Sequence, residues 1–82
     1  MFNVYVLHNS KVQKIYIGQT SNLKARLNSH NLKSGNHYTA KFEGEWKMIY
    51  KEDFSTRSEA IKREKQLKSS RGRAYLSQYI PG

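Results

Sequence analysis

The sequence predicts an α/β domain of the α+β kind, a small sheet flanked by helices, and two observations carry that prediction. Residues 2–8, 13–18 and 46–54 each alternate apolar and polar side chains with the period of two that a half-buried strand requires. The second and third of these stretches are followed by helix-start chemistry: Thr20, Ser21 and Asn22 precede Leu23 and Leu27, and Thr56 stands three residues before Glu59. Cysteine is absent from the 82 residues, so neither a disulfide nor a thiolate metal site braces the chain, and a reducing compartment is its natural setting. A chain this short buries only about 60–65% of its unfolded surface and has room for one domain, residues 1–82.

In the first strand Val4 and Val6 share one face, while Asn3, Tyr5 and Leu7 share the other. A polar connection around Asn9, Ser10 and Lys11 suits a hairpin into the second strand, where Ile15 and Ile17 oppose Tyr16. If the valines pair with the isoleucines, Tyr5 must share a face with Tyr16, because a one-residue slip would move a whole set to the wrong side. Pairing of two phenols needs no chemistry to explain it, since it stabilises a hairpin by about 0.2–1 kcal/mol. Gly18 reads as the break at the strand's end. The helix that follows takes Thr20, Ser21 or Asn22 as its cap and runs to residue 31 or 32, with Leu23, Leu27 and Asn31 on one face. Arg26 and His30, four apart, stack on adjacent turns of one stripe and would point together toward whatever Tyr16 faces. Tyrosine, arginine and histidine so placed can handle a phosphate. A solvated arginine and a half-buried histidine would satisfy the same spacing.

Residues 33–45 hold two glycines, several turn formers and no steady period, and read as a loop. Its His37, Tyr38 and Lys41 are the mixture a nucleic-acid contact uses, although an inert connection would explain the composition as well. Trp46, Met48, Tyr50 and Phe54 then alternate onto one face of a third strand, which should pair with the hairpin. A Thr56 to Glu59 capping box opens a second helix to about residue 68, with Ala60, Ile61 and Leu67 as its apolar stripe. Glu64 falls inside that stripe, where a carboxylate is costly to bury unless a cation meets it. A surface pair with Lys68, in the favourable Glu-to-Lys order, would account for it at about 0.3–0.5 kcal/mol. Residues 69–73, SSRGR, read as a basic glycine turn, and residues 74–80 as a short closing helix docked by Tyr75, Leu76, Tyr79 and Ile80.

Charge narrows the partners. Fifteen Lys and Arg against six Asp and Glu give a net +9, well beyond what solubility needs, which points to a polyanion with nucleic acid first among them. A membrane surface is disfavoured because neither main helix joins a basic face to a bulky apolar one. No apolar run approaches the roughly 18 residues of a membrane span, and the first residues begin a strand pattern without a basic leader, so a soluble cytoplasmic protein is expected. Cys/His zinc spacing, a Walker loop, GxGxxG and Gly-x-Ser-x-Gly are all absent. The acids are too few and scattered for a two-metal carboxylate cluster.

What remains is a set of Tyr5, Tyr16, Arg26, His30 and Glu64, and here the chain resembles the GIY-YIG nuclease superfamily, in particular its small stand-alone bacterial members. Asn3-Val4-Tyr5 stands where GIY is expected, and Tyr16-Ile17-Gly18 is YIG outright. Arg26 follows at the family's usual interval, with His30 four further on. Tyr38-Thr39, the segment WKMIYKEDFSTRSEAIKREKQLK and the closing SSRGRAYL are also similar to the stand-alone group, so the resemblance covers nearly the whole chain. It implies a three-stranded, mainly antiparallel sheet flanked by helices in the order β-β-α-β-α-α. The activity it implies is divalent-metal-dependent hydrolysis of nucleic-acid phosphodiesters.

Carried over, the resemblance makes Tyr5 or Tyr16 the group that positions or deprotonates the attacking water, Arg26 the neutraliser of charge on the phosphorane, and Glu64 the holder of one Mg²⁺ or Mn²⁺ ion. His30 would orient a tyrosine or depress its pKa. A phenol with its ordinary pKa near 10 is a poor base at neutral pH until a nearby cation favours its anion. Lys24, Lys33, His37, Tyr38, Lys41, Lys68, Arg71 and Arg73 are the expected nucleic-acid contacts. The chain departs from the pattern at Asn3, where the family has glycine, which could narrow access to the site. The reading is a compact endonuclease, structure-directed or nonspecific, with DNA favoured over RNA. Its rivals are a nucleic-acid-binding module of the same fold with little or no cleavage, and a basic protein-interaction adaptor.

Overall fold

The computed structural model describes residues 1–31 and 41–81, the side chains of residues 29–31 excepted. Strands β1 (Phe2–Asn9), β2 (Lys14–Thr20) and β3 (Lys47–Phe54) form one antiparallel sheet in the order β2-β1-β3. Helices α1 (Leu23–Asn31), α2 (Arg57–Lys68) and α3 (Ser70–Leu76) flank it, and a 3₁₀ turn, Ser77–Tyr79, follows. The order β-β-α-β-α-α is the expected one.

The register bears out the parity argument. Tyr5 lies opposite Gly18, Leu7 opposite Tyr16 and Val6 opposite Ile17, so the sheet has a valine face and a tyrosine face. Val4, Val6 and Ile17 pack against Ala60, Leu67 and Leu76 of α2 and α3. Burying Leu67 and Leu76 completely contributes roughly 1.5–3 kcal/mol each. On the other face Tyr5, Leu7 and Trp46 form a second core that Tyr16, Leu23 and Leu27 complete. The hairpin closes with Gln13 at a φ of 55°, its side-chain amide donating to the Ser10 carbonyl at 2.9 Å. Asn9, fully buried, accepts from the Lys11 N–H and donates to the Glu43 carbonyl at 2.8 Å, tying the hairpin to the approach of β3.

Three details depart from expectation, each for a steric reason invisible in a linear pattern. Trp46 and Met48 do not share a face with Tyr50 and Phe54. A bulge between Val6 and Leu7 sets Tyr50 opposite Val6 but Met48 opposite Leu7, so the extra residue, Ile49, reverses the parity of β3 and puts Trp46 under Tyr5. Gly18 does not end its strand, because β2 continues to Thr20. Residues 69–73 are not a turn: Ser69 caps α3 by accepting the Gly72 N–H at 3.2 Å, and Gly72 sits inside the helix, buried.

Gly72 is where α3 crosses α2. A Cβ there would lie 2.3 Å from the Gln66 carbonyl oxygen and 2.4 Å from the Leu67 Cα, both backbone atoms that have nowhere to go. Gly72→Ala is therefore expected to destabilise by about 1–3 kcal/mol despite alanine's better helix propensity. Thermal unfolding would register it as a fall in Tm of at least about 4 °C. An unchanged or raised Tm would show that the two helices can separate without loss.

Candidate active site

The tyrosine face carries the site because three elements converge there. Tyr5 on β1 and Tyr16 on β2 are diagonal neighbours, their ring centroids 6.2 Å apart and their planes tilted by 40°. Gly18 makes this possible, since a Cβ at that position would lie 2.8 Å from the Tyr5 hydroxyl and 2.9 Å from the Tyr16 ring. The glycine of the Tyr-Ile-Gly triplet thus clears the space over which both phenols lean. Its role could have been read from the parity that pairs it with Tyr5.

Helix α1 brings Arg26 to the same face. Asn22 settles its start: the side-chain Oδ1 accepts from the Ala25 N–H at 3.2 Å, while the Asn22 N–H donates to Thr20 Oγ1 at 3.1 Å. With the cap fixed and Leu23 and Leu27 turned to the core, half-buried Arg26 lines a cavity of about 250 Å³ with Thr20, Asn22 and Ala25. The backbone of His30 lies one turn on in α1, but its side chain is outside the described residues, as are Lys33, His37 and Tyr38.

Glu64 stands on α2, the helix packed against the valine face of the sheet. Its carboxylate is 20% exposed and pairs with Lys68 Nζ at 2.6 Å, so the simple surface pair weighed from the sequence is present. The carboxylate also acts on Tyr5 through space. Lys68 in turn lines a cavity of about 230 Å³ together with Tyr16 and Arg73, at the outer edge of β2. Two of the expected nucleic-acid contacts thereby stand beside a site phenol. Lys24 and Lys41 are exposed, and Arg71 lies in a separate groove between α2 and α3.

The two phenols are electrostatically unequal. Tyr5 is 1% exposed, and burial pushes its pKa well above the ordinary tyrosine value of 10.0. The neighbouring Tyr16 adds to the rise, the hydrogen bond between them raises it further, and Glu64 contributes in the same direction; Arg26 works against all of these. Tyr5 is therefore held neutral, and half-buried Tyr16 is the more accessible of the two phenols.

Two residues at the site escaped the sequence reading. Lys51 is the cross-strand partner of Tyr5 on β3, a placement that follows only once the bulge is known. Asp53 holds the Lys51 ammonium at 3.6 Å and accepts a hydrogen bond from the Asn3 side chain. Asn3, at the position where the family has glycine, thus directs its amide sideways to Asp53 on β3.

This arrangement, phenols crossed over a strand glycine with an arginine from the next helix and a carboxylate from a later one, defines a member of the GIY-YIG group. The sequence agrees: residues 1–77 match the family model described as the GIY-YIG catalytic domain, and the chain belongs to that family. Among its relatives is a UPF0213 protein of Staphylococcus haemolyticus, 38% identical over 66 residues that cover 80% of this chain and 78% of the relative. A UPF0213 protein of Streptococcus agalactiae is 35% identical over 74 residues, covering 90% of this chain and 82% of its own. The solution NMR structure of a UPF0213 protein from Bacillus halodurans is similar with a TM-score of 0.56 and 26% identity, over 100% of this chain and 88% of that one.

Proposed function

We propose that the protein is a divalent-metal-dependent endonuclease that hydrolyses nucleic-acid phosphodiester bonds, with DNA favoured over RNA. The observation that carries this reading is the pairing of Tyr5 and Tyr16 over Gly18, with Arg26 on the helix that follows, on a chain of net charge +9. The cationic excess is not consumed internally. Glu43, Glu45, Glu52, Asp53 and Glu64 each take one Lys or Arg, and the remaining cations of the described residues have no ion-pair partner. A polyphosphate would meet that field before it met any particular side chain.

The residues suit one divalent ion. Glu64 offers a hard oxygen donor with a single negative charge, and Mg²⁺ commonly takes one or two carboxylates and fills its shell with water and phosphate oxygens. Among the described residues no three His, Cys, Asp or Glu side chains come together, which argues against a second ion. When bound, the ion supplies charge neutralisation at a phosphate oxygen. The chain's own groups do the rest. Tyr16 orients the attacking water and, as its phenolate, accepts the water's proton, since Tyr5 is buried and held neutral. Tyr5 fixes the Tyr16 hydroxyl from below. Arg26 offsets the charge that builds on the phosphorane, and Lys68, Arg73 and Lys51 hold neighbouring phosphates. His30, four residues from Arg26 on α1, is assigned to orienting a phenol.

A panel of labelled nicked, flapped, branched and single-stranded DNAs and RNAs tests the proposal. Cleavage should require Mg²⁺ or Mn²⁺ and stop with chelator, and metal-free affinity should fall steeply between roughly 50 and 200 mM salt. Tight binding without cleavage anywhere in the panel would favour the rival reading, a binding module, which the Glu64–Lys68 ion pair also fits. A salt slope near zero would remove nucleic acid as the partner.

A further inference from the structure

The groove between α2 and α3 has no part in the chemistry above. It has a volume of about 580 Å³ and is lined by Arg63, Lys65, Arg71 and Tyr75, with Glu52 beside it paired to Arg63. Arg63 is already engaged: its Nε donates to Glu52 at 2.7 Å and its Nη1 to Gln66 at 3.2 Å. Lys65 and Arg71 are exposed and have no ion-pair partner among the described residues, so their charge faces outward.

Tyr75 is 41% exposed yet firmly placed. Its ring meets Tyr50 at 5.8 Å and 89°, and Tyr79 at 5.8 Å and 66°, and its hydroxyl lies 3.3 Å from that of Tyr79. Both ring contacts are T-shaped, so neither of these two rings lies flat upon it, and the Arg63 guanidinium lies over one face at 5.8 Å from the ring centroid, leaving the opposite face as the one a base would take. A fixed aromatic in one groove with two unpaired cations is an arrangement that can hold an unstacked base and its neighbouring phosphates. Duplex bases hide their π-faces from such a surface, which restricts the partner to an unpaired strand. The groove also lies apart from the phenol pair, because Tyr75 and Tyr79 pack on Tyr50, which faces the valine side of the sheet.

We infer that this groove binds a single-stranded arm of a branched or flapped nucleic acid, one base stacking on Tyr75 and its phosphates meeting Lys65 and Arg71. The inference rests on the nuclease reading for its substrate class but not on any catalytic residue. It makes the protein select substrates by an unpaired arm held in a groove separate from the phenol pair.

The test uses the full chain carrying Glu64→Gln, without metal, so that binding is read independently of cleavage. Affinity for a blunt duplex is compared with that for the same duplex bearing a single-stranded arm. The armed duplex is expected to bind about fivefold or more tightly. Both Tyr75→Ala and the exposed pair Lys65→Gln with Arg71→Gln should bring that ratio close to one. Because Tyr75→Ala also removes packing on Tyr50, the double variant decides, its fold checked by an unchanged Tm. Equal affinity for both duplexes, or a ratio retained by the double variant, would overturn the inference even if the parent chain cleaves. Displacement of the arm by polyglutamate as effectively as by an oligonucleotide would also overturn it, assigning the groove to acidic peptides.

Discussion

Glu64→Gln is expected to lower metal-dependent cleavage by on the order of 100-fold or more while the chain stays folded and its affinity for nucleic acid holds or rises. Glutamine keeps the shape of the side chain and one oxygen donor but removes the charge that would hold a divalent ion. It also removes repulsion toward phosphate, and it frees Lys68, now paired at 2.6 Å, to meet the polyanion. The structural cost should be small, because an i,i+4 pair with a half-exposed lysine stabilises by about 0.3–0.5 kcal/mol. Lys68 also occupies the carboxylate that the ion would use. Lys68→Gln should accordingly strengthen Mn²⁺ binding measured by titration on the protein alone, an effect that a purely structural Glu64 would not produce. Cleavage by Glu64→Gln at close to the parent rate would sink the metal assignment. Loss of fold together with cleavage would return Glu64 to the role of an ion-pair partner.

The parts of this architecture that sequence made legible are those set by local periodicity. Tyr5 and Tyr16 were placed on one face by the alternation of Val4, Val6, Ile15 and Ile17, because in a hairpin a period of two leaves only two registers to choose between. The Thr56 capping box marked the start of α2 for the same reason: the hydrogen bond from the Glu59 N–H to Thr56 Oγ1, 3.2 Å, joins residues three apart. Where the deciding contact is remote, the pattern misled. Gly18 looks like a strand breaker until it is set opposite Tyr5, and Gly72 like a turn until it is set against the backbone of Leu67. The bulge at Ile49 leaves no local mark, since the residues around it remain strand formers, and it alone decides whether Trp46 backs the phenols or the valines. Lys51 was lost with it. Glu64 stood out because a carboxylate in an apolar stripe is unusual, yet its relation to Tyr5 depends on how α2 docks, which helical spacing does not fix.

The division of labour between the phenols leads to the second large effect. Tyr16→Phe is expected to reduce the cleavage rate by about 10²- to 10⁴-fold, the range a positioned proton acceptor contributes. Its stability should fall by about 1–3 kcal/mol at most, because the half-buried ring is retained and the loss is that of a hydroxyl partner to buried Tyr5. Tyr5→Phe should behave differently. The ring lies in the core between Leu7 and Trp46 at 1% exposure, and phenylalanine preserves that packing. What disappears is a buried hydroxyl held neutral by its surroundings, so Tyr16 loses an anchor rather than the reaction losing its base. The rate should therefore fall by a smaller factor than in Tyr16→Phe, through a less ordered Tyr16. Single-turnover rates for both variants at matched metal concentration, alongside their Tm values, make the comparison. A greater loss in Tyr5→Phe at undiminished stability would reverse the assignment, since it would require the most deeply buried phenol of the site to give up its proton in spite of the desolvation, the neighbouring Tyr16 and the Glu64 charge that all oppose it.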